Sequence, residues 1–83
     1  MKTLWITFRS LTHAQRAVRA LERKGITATL TRLPQGLSTS GCGYAVVFRR
    51  RAGDFVRILS DDKIPYGKIF VKDESGEFQE LKE

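Results

Sequence analysis

Cys42 is the residue whose chemistry can most clearly exceed its role in packing. It is the single cysteine of the 83-residue chain, and its neighbours are Gly41 and Gly43. The thiolate is the nucleophilic form of cysteine, and positively charged surroundings favour it over the thiol. Glycine neighbours would leave the sulfur unshielded and let backbone amides approach it. The opposite interpretation is a small buried hydrophobe, because free cysteines are often buried; the residues alone leave both open.

The other reactive residue types do not form a recognisable site. A lone cysteine excludes an internal disulfide, and together with the one histidine, His13, it supplies too few ligands for a closed zinc site. The glycine-rich segment lacks the lysine and the following Ser or Thr of a phosphate-binding loop. No carboxylate pair or nucleophile-base combination indicates a hydrolase. We therefore expect a protein that is not an enzyme and that holds no metal and no cofactor.

Charge is unevenly distributed along the chain, whose formal net charge is +6. Fourteen of the fifteen Lys and Arg residues precede Asp73, whereas five of the nine acidic residues lie from Asp73 onward. A basic body favours anionic partners, but a soluble surface partly neutralised by its own acidic tail explains the same pattern. No stretch reaches the ~18 apolar residues of a membrane span, and the N-terminus has no signal-peptide pattern. We expect a cytoplasmic protein without a membrane partner.

Hydrophobic periodicity predicts the elements that position these residues. Alternation from Thr3 to Phe8 predicts a half-buried strand. A helix follows, with Thr12 and Gln15 at capping-box spacing and Gly25 as a left-handed terminator. Its apolar stripe consists of Ala14, Ala17, Val18 and Leu21.

The second half of the chain supplies a loop and the remaining elements. Ile26, Ala28 and Leu30 alternate with threonines and predict a second strand. The segment from Leu33 to Gly43 has loop composition, and long loops often carry function. The remaining predicted elements are a strand at Tyr44 to Phe48, a short helix at Asp54 to Leu59 and a strand at Ile69 to Val71.

The element order β-α-β-β-α-β predicts a ferredoxin-like α+β sandwich, in which a four-stranded antiparallel sheet carries both helices on one face. Residues 1–72 form this single domain, and residues 73–83 form an acidic C-terminal tail. The sheet residues predicted to face the helices are Leu4, Ile6, Phe8, Ile26, Ala28, Leu30, Ala45, Val47, Ile69 and Val71. The predicted open face carries Trp5, Tyr44, Val46, Phe48 and Phe70. So apolar a face indicates an interface, and we expect a homo-oligomer, most simply a homodimer, that associates through it.

The order of motifs also resembles that of a known family. A helix of small residues, a GIT-type second strand, Pro34, a serine-rich loop with Ser38, and Cys42-Gly43 before an apolar strand are similar to the putative selenium/sulfur carrier protein-like family of small bacterial domains. The resemblance covers Leu4 to Val71. It implies that Cys42 holds sulfur or selenium as a persulfide or selenosulfide within a loop that includes Pro34, Ser38, Gly41 and Gly43. Since no resolving cysteine is present, it also implies separate donor and acceptor proteins as partners.

RNA binding is an alternative function. Ferredoxin-like sheets form RNA-recognition motifs, whose aromatic residues on the first and third strands stack on bases. Trp5 and Tyr44 lie on comparable strands, and Gly41, Gly43 and Tyr44 partly match the RNP1 pattern. That pattern's initial Lys or Arg and its final aromatic residue are missing. A purely structural adaptor that dimerises through the open face is a third possibility.

Overall fold

The computed structural model describes residues 3–33, 43–49 and 55–81. Their elements are β1 (Thr3–Phe8), α1 (Leu11–Arg23), β2 (Ala28–Arg32), β3 (Tyr44–Arg49), α2 (Phe55–Asp61), β4 (Ile69–Lys72) and β5 (Phe78–Leu81). The strands form one antiparallel sheet in the order β2-β3-β1-β4-β5. Within the described ranges the protein is therefore α+β, with two helices and a five-stranded antiparallel sheet.

The sheet has one strand more than the sequence predicts. The segment assigned to the acidic tail folds back as β5 and pairs with β4. In the turn, one carboxylate oxygen of Asp73 accepts hydrogen bonds from the Ser75 hydroxyl at 2.6 Å and from the backbone N–H groups of Ser75 and Glu77 at 2.9 and 3.1 Å. Gly76 adopts the left-handed conformation that completes the reversal, with φ of 89°. The prediction of a four-stranded sheet is therefore wrong.

The Asp73 carboxylate is stabilised in its charged form by this turn. The Ser75 hydroxyl contributes most, followed by the backbone N–H of Glu77, and together these bonds lower the pKa of Asp73 from its ordinary value. The turn is thus one place where the acidic C-terminal segment contributes to folded structure.

Strand β3 presents the opposite face to the helices from the one predicted. Directly paired residues of neighbouring strands point to the same face, and Val46 pairs with Ile6 while Phe48 pairs with Leu4. Val46 and Phe48 are accordingly buried, and the Phe48 ring meets Phe55 of α2 edge-on at 5.3 Å between centroids. Both faces of β3 are apolar, so periodicity alone did not decide which face is inside.

The same register corrects the remaining predictions for β3. Tyr44 pairs with Phe8 and packs against the core rather than on the open face. Ala45 and Val47 lie on the open face, where Val47 pairs with Trp5. The face predictions for β1, β2 and β4 agree with the register, since Ile6 pairs with Ile69 and Leu30 pairs with Val46.

Helix α1 starts earlier than predicted and ends as predicted. Its N-cap is Ser10, whose side chain makes no capping hydrogen bond, so the proposed capping box starting at Thr12 is wrong. At the C-terminus, Gly25 has φ of 82° and donates to the Glu22 carbonyl at 3.0 Å, while Ile26 donates to Leu21 at 3.0 Å. This pattern is a Schellman motif, in which glycine avoids the strain of a left-handed backbone. In the described part of the chain, neither helix is long and apolar enough to cross a membrane.

A β-bulge lies where β1 meets the start of β4. The Thr7 N–H donates to the Lys68 carbonyl at 2.9 Å, but the Thr7 carbonyl accepts from Gly67 at 2.8 Å, so two residues oppose one. The bulge frees the Lys68 N–H, which donates to the Thr7 hydroxyl at 2.7 Å. Thr7 is fully buried, and this bond satisfies its side chain.

Candidate functional site

The segment that contains Cys42 connects to the sheet at one end, which we call the loop end. Because β1 and β2 are both antiparallel to β3, both end where β3 begins. Leu33 and Gly43, the described residues on either side of the segment 34–42, are joined there by a hydrogen bond from the Leu33 N–H to the Gly43 carbonyl at 3.1 Å. The Gly43 N–H also donates to the carbonyl of Phe8 at 3.3 Å. Residue 43 is thus fixed to both neighbouring strands.

Most of the predicted attachment loop lies outside the described residues. Pro34, Ser38, Gly41 and Cys42 all fall within 34–42, so their roles stay predictions. Gly43 is described: it is exposed, its φ is not positive, and a Cβ built on it would meet nothing within 4 Å. Neither backbone conformation nor packing in the described structure therefore requires glycine at position 43.

Two exposed arginines lie at the loop end. Arg9 directly follows β1, and Arg32 is the last residue of β2, paired with Tyr44 at the start of β3. Lys68 precedes β4 at the same end, and its ammonium lies 3.7 Å from the Glu80 carboxylate. Of these three cations, only Lys68 has a carboxylate partner among the described residues.

The first turn of α1 adds to the positive potential at this end. The first backbone N–H groups of a helix have no partner within the helix and carry partial positive charge. The Ser10 side chain does not cap them, and the first turn of α1 contains no acidic residue. The described part of the loop end therefore combines Arg9, Arg32 and an uncompensated helix start.

Arg16 and Arg23, farther along α1, make contacts away from the loop end. The Arg23 guanidinium lies 2.9 Å from the Asp62 carboxylate, and Arg16 donates to the Asp62 carbonyl at 3.0 Å. Both bonds connect α1 to the turn after α2. These arginines stabilise helix packing and are not part of the loop end.

The open face is less apolar than predicted, because Tyr44, Val46 and Phe48 lie on the other side of the sheet. Trp5 and Phe70 do lie on it, but Phe70 is only 8% exposed. Trp5 is half-buried, and its indole N–H donates to the Thr3 hydroxyl at 3.1 Å.

Contacts within the chain also occupy the Trp5 ring. The Phe78 and Trp5 ring centroids are 5.2 Å apart in an edge-to-face arrangement, and the Lys72 ammonium lies 5.7 Å from the Trp5 ring centroid. The predicted base-stacking pair is not formed, because Trp5 and Tyr44 lie on opposite faces of the sheet. Phe78 was not predicted to lie on this face, although Asp73 to Gly76 followed by the alternation of Phe78 to Leu81 is a hairpin signal.

Together these features define a small α+β protein with one cysteine, located in the segment between β2 and β3 at a positively charged end of the sheet. The chain belongs to the family described as "Putative Se/S carrier protein-like", whose sequence model matches residues 3–71. The match includes β1 through most of β4 and the whole Cys42 segment, and it ends before β5. No curated protein and no solved structure matches the chain.

Proposed function

We propose that this protein carries sulfur or selenium on Cys42. Family membership supports this assignment most directly, because the matched region contains the only cysteine of the chain. The hydrogen bonds of Leu33 and Gly43 support it further, since they connect both ends of the Cys42 segment to the loop end. A cargo held by a covalent bond needs an accessible sulfur more than it needs a deep pocket.

Electrostatics at the loop end favours a reactive thiolate. Nearby arginines and helix N-termini lower the pKa of cysteine thiols and increase the fraction of thiolate. Arg9, Arg32 and the start of α1 supply both kinds of positive charge, and Gly43 directly follows the cysteine. A missing side chain at position 43 lets a donor approach the sulfur from that side.

The transfer involves no net oxidation. The Cys42 thiolate attacks the outer sulfur of a donor persulfide, R–S–SH, and a new S–S bond forms as the donor S–S bond breaks. The donor leaves as the thiolate R–S⁻, and Cys42 becomes the persulfide Cys42–S–SH. An acceptor thiolate then attacks the outer sulfur and releases Cys42 as thiolate. Selenium follows the same route when the outer atom of the donor is selenium.

The single cysteine determines how the cargo leaves. A second cysteine could expel the outer sulfur by forming an internal disulfide, but this chain has none. The cargo must therefore pass to a thiol of another molecule. This requirement favours a carrier that shuttles between a donor and an acceptor protein, rather than an enzyme that releases a product by itself.

The fold is consistent with a ferredoxin-like origin. Without β5, the strand order is β2-β3-β1-β4, and α1 and α2 occur between β1 and β2 and between β3 and β4. We regard β5 as an addition to that arrangement at the β4 edge.

Loading and unloading can be followed by intact-mass spectrometry. Reduced protein incubated with glutathione persulfide should gain the mass of one sulfur atom and lose it when an excess of a thiol acceptor is added. Cys42→Ser should gain nothing. A double variant, Cys42→Ser with Gln79→Cys, places the thiol on an exposed position of β5 and measures how fast an ordinary surface thiol loads. Equal rates for Cys42 and Cys at position 79, or no loading of the wild type, would contradict the carrier role.

A further inference from the structure

Strand β2 is an edge strand of the sheet. Among the described residues 3–33, 43–49 and 55–81 it pairs with β3 alone, and it contains no proline between Ala28 and Arg32. Unprotected edges of this kind accept another strand, because their outward N–H and C=O groups lack partners. The opposite edge, β5, is acidic, with Glu80 on the strand and Glu77 beside it.

The hydrogen-bond pattern shows which backbone groups of β2 point outward. The Leu33 N–H donates to the Gly43 carbonyl, so the backbone groups of Leu33 point toward β3, and this orientation recurs at every second residue of an antiparallel strand. Thr29 and Thr31 therefore bond to β3. The N–H and C=O groups of the alternate residues, Ala28, Leu30 and Arg32, point away from the sheet, and no described residue bonds to them.

These outward groups are complementary to those of a second β2. In antiparallel pairing about a two-fold axis at Leu30, each Leu30 faces its counterpart, and Ala28 faces Arg32 of the second copy. Every outward N–H and C=O of the strand then has a partner, whereas shifting the register by two residues leaves some unpaired. Thr29 lies beside Thr31 of the second copy on the open face, a favourable cross-strand pair, and no like charges are opposed.

Helix α1 offers a second contact along the same edge. It connects β1 to β2, which flank β3, so it crosses the sheet at β3 and packs on both β2 and β3. Helices that lie between β3 and the midpoint of β2 and β3 would be two to three strand spacings apart in the joined sheet, or ~10–14 Å. Packed helices are usually about 8–10 Å apart, so side chains on the facing sides of the two helices would have to meet across this gap.

The side of α1 that faces this edge carries two apolar residues, flanked by the exposed Gln15 and Glu22. Arg16 marks the side toward α2 through its bond to Asp62. Leu11 and Val18 are one heptad apart and lie roughly 200° around the helix from Arg16, hence on the side away from α2. Leu11 is 41% exposed and Val18 is half-buried, so a neighbouring α1 would cover both.

We propose that two copies of this protein associate through β2 into one continuous ten-stranded sheet, with their α1 helices side by side. The partner is a second copy, because the outward backbone groups and the side-chain pairs of β2 fit a two-fold axis. This association differs from the predicted stacking of open faces. It does not depend on the carrier role of Cys42.

Sedimentation equilibrium in a reducing buffer over a wide concentration range tests the association. The wild type should dimerise, and Leu11→Lys should weaken dimerisation by about tenfold or more, because it removes apolar burial from both copies. The matched control is Leu81→Lys on β5, which alters the other exposed leucine of the described residues and should leave dimerisation unchanged. A monomer at every concentration, or equal weakening by both variants, would overturn the proposal.

Amide hydrogen exchange tests the register independently of any variant. The N–H groups of Ala28, Leu30 and Arg32 should become protected as the protein concentration rises, whereas those of Thr29 and Thr31 should be protected at all concentrations. A dimer in which the Leu30 amide exchanges as fast as in the monomer would exclude pairing through β2. Weakening of such a dimer by Trp5→Ala would instead assign the contact to the open face.

Discussion

At the scale of single residues, positions 43 and 25 have different physical reasons for holding glycine. Gly25 has φ of 82° and ends α1, where any side chain would be strained. Gly43 has no such conformation, and a Cβ there would meet nothing within 4 Å. The fold explains the first glycine. We attribute the second to access to the neighbouring sulfur.

The substitution Gly43→Ala tests whether this glycine provides access to the Cys42 sulfur. We expect the free energy of unfolding to change by less than about 0.5 kcal/mol, because the site is exposed and unstrained. The rate at which glutathione persulfide loads Cys42 should fall, because a methyl group now lies next to the sulfur. Gly25→Ala is the matched control: it should destabilise the protein by roughly 1 kcal/mol and leave loading of the folded protein unchanged. An unchanged rate of Cys42 loading in Gly43→Ala would mean that this glycine does not increase access to the sulfur.

Thr7 is a residue whose polarity, not its size, is required. Thr7 is fully buried, and its hydroxyl accepts the Lys68 N–H at 2.7 Å. Thr7→Val keeps the shape and leaves this amide without a partner, so we expect a loss of about 1–3 kcal/mol in unfolding free energy, measured by urea denaturation. Thr7→Ser keeps the hydroxyl and should lose less. Equal stability of Thr7→Val and wild type would show that the bond contributes nothing.

At the scale of elements, the β4-β5 hairpin depends on one carboxylate. The pKa of Asp73 is lower in the folded protein than in the unfolded chain, chiefly through the Ser75 hydroxyl. The stabilisation is therefore fully present above the unfolded pKa, near pH 4, and is lost as the pH falls through the lower folded value. Since Phe78 of β5 packs on Trp5, tryptophan fluorescence reports whether the hairpin is docked.

We predict that the Trp5 emission of the wild type shifts to longer wavelength as the pH falls below about 4. Asp73→Asn removes the titrating group, so its emission should depend less on pH over the same interval. The difference between the two titrations isolates Asp73, because the other carboxylates are common to both proteins. Identical titration curves would show that Asp73 does not control the hairpin.

The elements also show what periodicity can and cannot predict. Strand β1 and the C-terminal end of α1 were predicted correctly because an alternating strand and a Gly25 terminator each have a single physical solution. The prediction of which face of β3 points toward the helices was wrong, because Val46 and Val47 are equally apolar. Only the pairing with β1 shows that Val46 is the inward-facing residue. Strand β5 was missed because its acidic composition suggested a solvated tail, whereas the Asp73 turn and the Trp5 contact hold it to the sheet.

Some features of the candidate site can likewise be predicted from the sequence, and others cannot. The sequence locates the one thiol and its glycine neighbours, because these are properties of residue type. It does not reveal that Arg9, Arg32 and the start of α1 lie at one end of the sheet, since that proximity arises from strand order. The proposed cargo comes from the family description, which names selenium and sulfur, because neither charge nor geometry indicates a cargo.

At the scale of the whole molecule, the proposed dimer has a consequence for the carrier. Antiparallel pairing of two β2 strands directs their two loop ends in opposite directions along the joined sheet. Each Cys42 would then meet donors and acceptors independently of the other. Association through β2 and sulfur transfer at Cys42 are therefore compatible, and neither requires the other.

The central claim is that the Cys42 sulfur of the folded protein can meet another molecule. Its most direct test is the rate at which iodoacetamide alkylates Cys42 at neutral pH, compared with the rate for the urea-unfolded chain. We predict that the folded protein reacts at least as fast as the unfolded one, because positive charge at the loop end favours the thiolate. A thiol that reacts only after unfolding would contradict the account.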